Sequence, residues 1–320
     1  MRALLLASMI ALTAAPVLAQ NFPTRPITMI VPFAAGGPTD TVARVTAENM
    51  GRLLGQTVVV ENVAGAGGTI GSHRVVRAEP DGYMILLHHL GLATAVTLYR
   101  KLPFNPVADL KPVGIVSDVN MAIIARPSYG PNTLAELIAD AHARGDQVSF
   151  AHAGLGSSSQ LCGMLFMAAI KKQLTQVPFR GGGPVIQSLI ANQVDIGCEQ
   201  ATTAAPLVQA KSVKPYAVTS AKRLPSMPDI PTTAEAGLPN LKISVWHGLY
   251  APAGTPDAVV QTLAKALAQA LTDPTLIKRF TDISTTPTPE KATPDALRKT
   301  LKSEIDRWRP LISAAGQFAD

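Results

Sequence analysis

Apolar positions along the chain change their period repeatedly. Short β-type runs at residues 27–31, 58–60 and 83–87 alternate with stretches at helical spacing. The clearest of these is residues 41–54, where Val42, Val45 and Leu53 are among the recurring apolar positions. Small-residue segments punctuate the alternation at 34–40 and 64–71, and Pro80-Asp81-Gly82 turns the chain into the third run. Two β-rich runs follow each other across 113–125. A second series then starts: a helix at 134–143 capped by Asn132 or Thr133, a strand at 148–151, a turn at 154–159 and a helix at 161–170. Residues 174–178 lead into a glycine turn at 180–183, a helix at 185–191, a strand at 194–198 and a closing strand at 216–219. Beyond proline-rich connections at 225–239, helical spacing returns at 257–271 and 295–309. This alternation predicts an α/β fold with parallel strands and helices on both faces. The order of the two series predicts two units, the second (123–225) inserted into the first (20–122 with 226–320).

The first residues follow a different pattern. Arg2, an apolar run at 4–12 and the small-residue site Val17-Leu18-Ala19 have the layout of a secretory leader cleaved after Ala19. The apolar run is far short of the ~20 residues a membrane span requires. The expected product is a soluble, exported protein beginning at Gln20.

Composition narrows the function further. A formal charge of +6 favours anionic ligands. Spread-out basic residues, few aromatics and no zinc-finger or RNP pattern argue against nucleic acid. Cys162 and Cys198 are too few for a disulfide scaffold; they are either one bridge or two buried thiols.

Three small-residue turns, each after a strand and before a helix, carry the candidate chemistry. The first amides of a helix lack intrahelical partners, and with the helix dipole they form an anion site. In the first turn Gly37 permits close backbone approach, Thr39 offers a hydroxyl, and Asp40 caps or orients amides. In the second, Gly156 frees the backbone, Ser157, Ser158 and Ser159 bring hydroxyls, and Gln160 adds an amide. In the third, Arg180 can grip a carboxylate with paired hydrogen bonds beside Gly181. Ligands of open α/β sheets sit at the carboxyl ends of the strands, so these turns share one crevice. Strand alternation lets only one of His88 and His89 face it. No dinucleotide fingerprint follows the first strand, and no metal-ligand spacing or serine-nucleophile elbow appears. No cofactor, metal or catalytic residue is expected; an exported serine hydrolase is the alternative the serines raise.

RPITMIVPFAAGGPTD, VVVENVAGAGGTIG, PDGYMIL, GLGSSSQL, VPFRGGGP, SAKRLPSMPDIPTTAEAG and WHGLYAPAGTP stand in this order along nearly all of the chain. In this ordered set the chain resembles the receptors of the tripartite tricarboxylate transporter family, the periplasmic Bug or TctC-type solute-binding proteins. The resemblance implies a type II-like periplasmic binding protein: two α/β domains joined by a hinge, closing on a small carboxylate for delivery to membrane permease subunits. It implies a monomer without enzymatic turnover. It places residues 33–40, including Phe33 and Ala35, on one side of the ligand and residues 154–160 on the other. It adds His88 at a strand end, and along the second side Arg180, Gly181 and residues 199–203, including Gln200 and Thr202. Departures from the family pattern at Gln160, Phe179, Arg180 and residues 198–200 leave the ligand open. With Phe33 and Leu92 flanking an apolar body and Arg180 meeting a second carboxylate, an aromatic dicarboxylate such as terephthalate is one expectation. A citrate-like or aliphatic dicarboxylate is the other.

Overall fold

The computed structural model describes residues 22–316 and 318–319. The leader and its cleavage site lie outside the described residues. In chain order, β1 (Ile27–Val31), α1 (Pro38–Leu54), β2 (Val58–Asn62), α2 (Thr69–Val76), β3 (Met84–His89) and α3 (Gly91–Leu98) build the first half. β4 (Leu110–Ala125) leads out of it. There follow α4 (Leu134–Arg144), β5 (Ser149–His152), α5 (Ser158–Ile170), β6 (Thr175–Pro178), α6 (Gly182–Ile190), β7 (Ile196–Gln200), α7 (Ala201–Gln209) and β8 (Lys214–Val218). β9 (Ser244–Pro252) returns, and α8 (Asp257–Ala270), α9 (Pro274–Asp282), β10 (Thr285–Pro287) and α10 (Pro294–Ala315) complete the chain.

Local chemistry accounts for several boundaries. α1 begins three residues earlier than the apolar spacing implies, because Pro38 at its first position is preset for helix. It ends at Gly55, whose φ of 66° a side chain would resist. At α4, Thr133 rather than Asn132 is the cap, its hydroxyl accepting from Glu136 N at 3.1 Å.

The sheet is mixed, not parallel throughout. β2-β1-β3 and β6-β5-β7 are parallel sets, as the βαβ alternation predicts. β9 lies antiparallel between β3 and β4, and β4 lies antiparallel to β7 and β8. The reason is topological. β4 carries the chain out of the first half and β9 carries it back, so the two run in opposite directions. The expected pair of β-rich runs at 113–125 is one strand of 16 residues, β4. Its first part pairs with β9 and β10, and its last five residues pair with β7 and β8. Thr219 ties the two crossing segments together: its hydroxyl accepts from Met121 N and donates to Ile243 O at 2.6 Å.

Three buried apolar clusters fill the layers. One lies under β1, α1 and α8, another between β4, α6 and α7. The largest runs from Leu86 and Trp308 through Ile123 to Phe150 and Phe166, spanning both halves of the sheet. Cys162 and Cys198 are joined as a disulfide, which decides between the two expectations for them. Among the described residues no helix is long and apolar enough to cross a membrane.

Candidate ligand-binding site

Turns at the carboxyl ends of β1, β3, β5, β6 and β7 enclose one cavity of about 30 Å³. Its walls are Phe33, Ala34 and Gly37 to Thr39 from the first half, with His89 at the end of β3. From the second half come Ala153, Ser157 to Ser159, Gly181, Gly182, Glu199 and Gln200. Helices α1, α5, α6 and α7 all start on this cavity, so four N-termini aim their positive ends at it. No side chain caps α1, α6 or α7, leaving their first-turn amides to whatever occupies the space. Among the described residues no lysine or arginine lines it.

The serine turn is braced from within. Ser157 Oγ donates to Gly154 O at 2.6 Å and accepts from Gln160 N, capping α5. Ser159 Oγ accepts from Ala153 N at 2.9 Å. Ser158 Oγ accepts from Gln200 Nε2 at 3.2 Å, which ties α5 to β7 beside the disulfide. Among the described residues none of these hydroxyls is hydrogen-bonded to a histidine or an acid. The first turn is braced by Asp40, whose carboxylate accepts from Gly36 N, Arg44 Nε and Asn62 Nδ2 at 2.9 to 3.0 Å. Burial opposes ionisation of Asp40, but these bonds outweigh it and hold its pKa below the usual value.

Three buried histidines stand on the first side, and His89 is the one that lines the cavity. His89 stacks on Phe33 at 4.4 Å between centroids, and its Nδ1 accepts from Gly91 N at 2.8 Å. That acceptor role puts the proton on Nε2. Thr39 Oγ1 lies 3.4 Å from His247 Nε2, and Ser117 Oγ lies 3.2 Å from His247 Nδ1. Burial pushes His88 and His247 down to about 3 and His89 well below its ordinary value, so all three are neutral. Glu199 is 3 % exposed, its Oε1 has no hydrogen-bond partner, and burial raises its pKa to about 8. Gln200 Oε1 is buried and unpartnered beside it. Among the described residues no cluster of three or more histidines, cysteines or acids is placed to hold a metal.

The family model of the tripartite tricarboxylate transporter family receptor matches residues 42–317. The chain belongs to this family. A UPF0065 protein from Agrobacterium vitis is 42 % identical over 298 residues, covering 93 % of this chain and 86 % of that protein. The structure of the periplasmic binding protein BugD is 43 % identical with a TM-score of 0.90, over 93 % of this chain and 100 % of that one. MatC from Rhodopseudomonas palustris with bound malate is 40 % identical with a TM-score of 0.87, over 91 % and 100 %. The fold of this receptor is therefore the mixed α/β fold of the periplasmic binding proteins.

Of the residues the sequence singles out in this receptor, Phe33, Gly37, Thr39, Ser157, Ser158, Ser159, Gly181 and Gln200 line the cavity together. Asp40 and Gln160 stand behind it; Gln160 Oε1 accepts from Gly156 N at 3.3 Å across the serine turn. Ala35 is on the exposed outside of the first turn, and Leu92 is in the apolar core. Thr202 Oγ1 is 3.2 Å from Thr285 Oγ1, joining α7 to β10 away from the cavity. His88 is displaced by its neighbour: strand alternation turns His89 to the cavity, while His88 Nδ1 donates to His89 O. Arg180 also stays outside. It is exposed in an adjoining groove of about 740 Å³ with Phe33, Tyr99 and Phe179, and has no partner among the described residues. Phe33, Ala34, Ala153 and Gly181 separate groove from cavity. The expected contacts left out His89, Ala153 and Gly182, which the cavity wall includes. His89 was legible as the strand neighbour of His88, since only one of the two can face the crevice.

Proposed function

We propose that this receptor captures a small carboxylate in the periplasm and delivers it to the permease of a tripartite transporter, binding it without chemical turnover. The observation that carries the reading is the convergence of four helix N-termini on a cavity without a basic side chain. Amides and dipoles then supply the positive potential, as at other helix-terminus anion sites. Residues 20–122 with 226–320 form one jaw and residues 123–225 the other, hinged where β4 passes from one set of strands to the next. The malate held by MatC supports a ligand of that size and charge.

A second reading concerns ligand length. The groove beside the cavity joins three aromatic rings to Arg180, which has no partner among the described residues. An aromatic dicarboxylate such as terephthalate would place one carboxylate on the amides and the other at Arg180. A thermal-shift panel of malate, citrate, adipate, benzoate and terephthalate tests both readings, since a ligand of the native state raises its stability. At least one carboxylate is expected to shift the midpoint; no response across the panel would refute the receptor reading. Under the second reading R180A weakens terephthalate at least tenfold and benzoate far less. An equal loss for both removes Arg180 from the ligand.

A further inference from the structure

Glu199 is at odds with an anion site. It ends β7 with its side chain in the cavity wall, where its Oε2 lies 3.4 Å from the position a Cβ on Gly182 would take. Among the described residues no lysine or arginine lines the cavity beside it, and Oε1 has no hydrogen-bond partner. An ionised carboxylate here would face the ligand's own negative charge at close range in a poorly screened space. A neutral acid reverses the interaction, because it brings an O–H donor to a site otherwise made of N–H donors.

We propose that Glu199 serves this receptor as a protonated acid, donating its hydroxyl hydrogen from Oε1 to the ligand's carboxylate. The inference rests on the carboxylate-receptor reading above and names the group that selects for the anion. No covalent bond changes; above the free receptor's titration point, capture takes up one proton from solvent. Gln200 complements it. Ser158 Oγ both donates and accepts, so the amide of Gln200 can keep that bond and turn its NH2 toward the same carboxylate.

Few other ionisable groups stand near Glu199. The paired strand β4 carries one acid, Asp118, three residues beyond the position opposite Gln200, and burial raises it too. Helices α5, α6 and α7 contribute no ionisable side chain apart from disulfide-bonded Cys162. His88 and His89 on β3, His152 on β5 and His247 on β9 are all lowered by burial and neutral. On α1, Asp40 is held ionised against Arg44 and Asn62, away from the cavity. Arg180 is in the outer groove. Burial without a counter-charge is the cause that raises Glu199 itself.

The test is calorimetric titration of the intact mature protein with malate, or with the panel carboxylate giving the largest shift, from pH 6.5 to 9.5. Ordinary ligand carboxyls titrate near ~4, so both are ionised throughout. The expected result is a Kd constant to about pH 8 and rising about tenfold per unit above it. Buffers of different ionisation enthalpy should report proton uptake on binding at pH 9. E199Q, an isostere that is also a donor, should bind within tenfold of wild type at pH 7 and lose the slope. The infrared band of a protonated carboxyl should be present in the ligand-free protein at pH 7 and absent from E199Q. A Kd that falls or stays flat with rising pH, a hundredfold loss in E199Q at pH 7, or the absence of that band overturns the proposal alone. A panel with no bound carboxylate overturns the receptor reading and the proposal with it.

Discussion

Single residues here differ in what their surroundings do to their charge. His88 and His247 are neutral in the folded protein, with values near 3, and regain an ordinary value on unfolding. A lowered pKa gives stability that is complete above about pH 6.5 and is lost as pH falls toward 3. Glu199 acts in the opposite sense: its raised value gives stability that is complete below about pH 4.5 and lost as pH rises to about 8. Urea unfolding of wild type and E199Q should therefore differ by an amount growing by about 1.4 kcal/mol per pH unit across that interval, with E199Q the more stable at pH 8. A constant difference would mean that Glu199 titrates normally. The sequence shows Glu199 at a strand end. It does not show that burial isolates the carboxyl, because the walls come from α5, α6 and the first turn.

Among elements, α5 and β7 form the second wall as one unit. They are joined by the Cys162–Cys198 bridge, with Ser158 and Gln200 bonded just beyond it. A bridge closing a loop of this span is worth about 2–4 kcal/mol, and here it also positions Ser158 against Gln200. Replacing both cysteines by alanine should lower stability by about that amount and weaken carboxylate binding; titration and thermal melts of the variant measure the two effects. Stability loss with unchanged affinity would make the bridge purely structural. The helices and parallel strands were legible as alternating periods, and α1, α5 and α6 follow from turn residues close to their first turns. The antiparallel placement of β9 was not legible, since SVWHGLYAP reads as a strand in either direction. Its partner is chosen by β3 and β4, more than 100 residues distant in sequence.

Across the whole molecule the two sides meet at glycines. A Cβ on Gly67 would stand 2.3 Å from Leu155 O, and one on Gly91 would stand 2.6 Å from Gly156 O. The first turn approaches in the same way, with Ala34 Cβ 3.0 Å from the position of a Cβ on Gly181. Gly67→Ala should hold the 64–68 segment off the serine turn. The expected result is at least a tenfold loss of carboxylate affinity, with a stability loss above the ~1 kcal/mol that the φ of 61° alone would cost, because Leu155 O is backbone and must move. Titration and denaturant unfolding check it; unchanged affinity would show that this approach is not needed for capture. The repeated periods and glycine turns of the chain already specify an α/β protein with small-residue turns between its strands and helices, because period, capping and turn chemistry are local. Folding alone decides that His89 and not His88 reaches the cavity, that Arg180 stays outside it, and that Glu199 is enclosed without a cation. Those outcomes depend on which distant surfaces come into contact, and burial and electrostatic environment exist only after that contact is made.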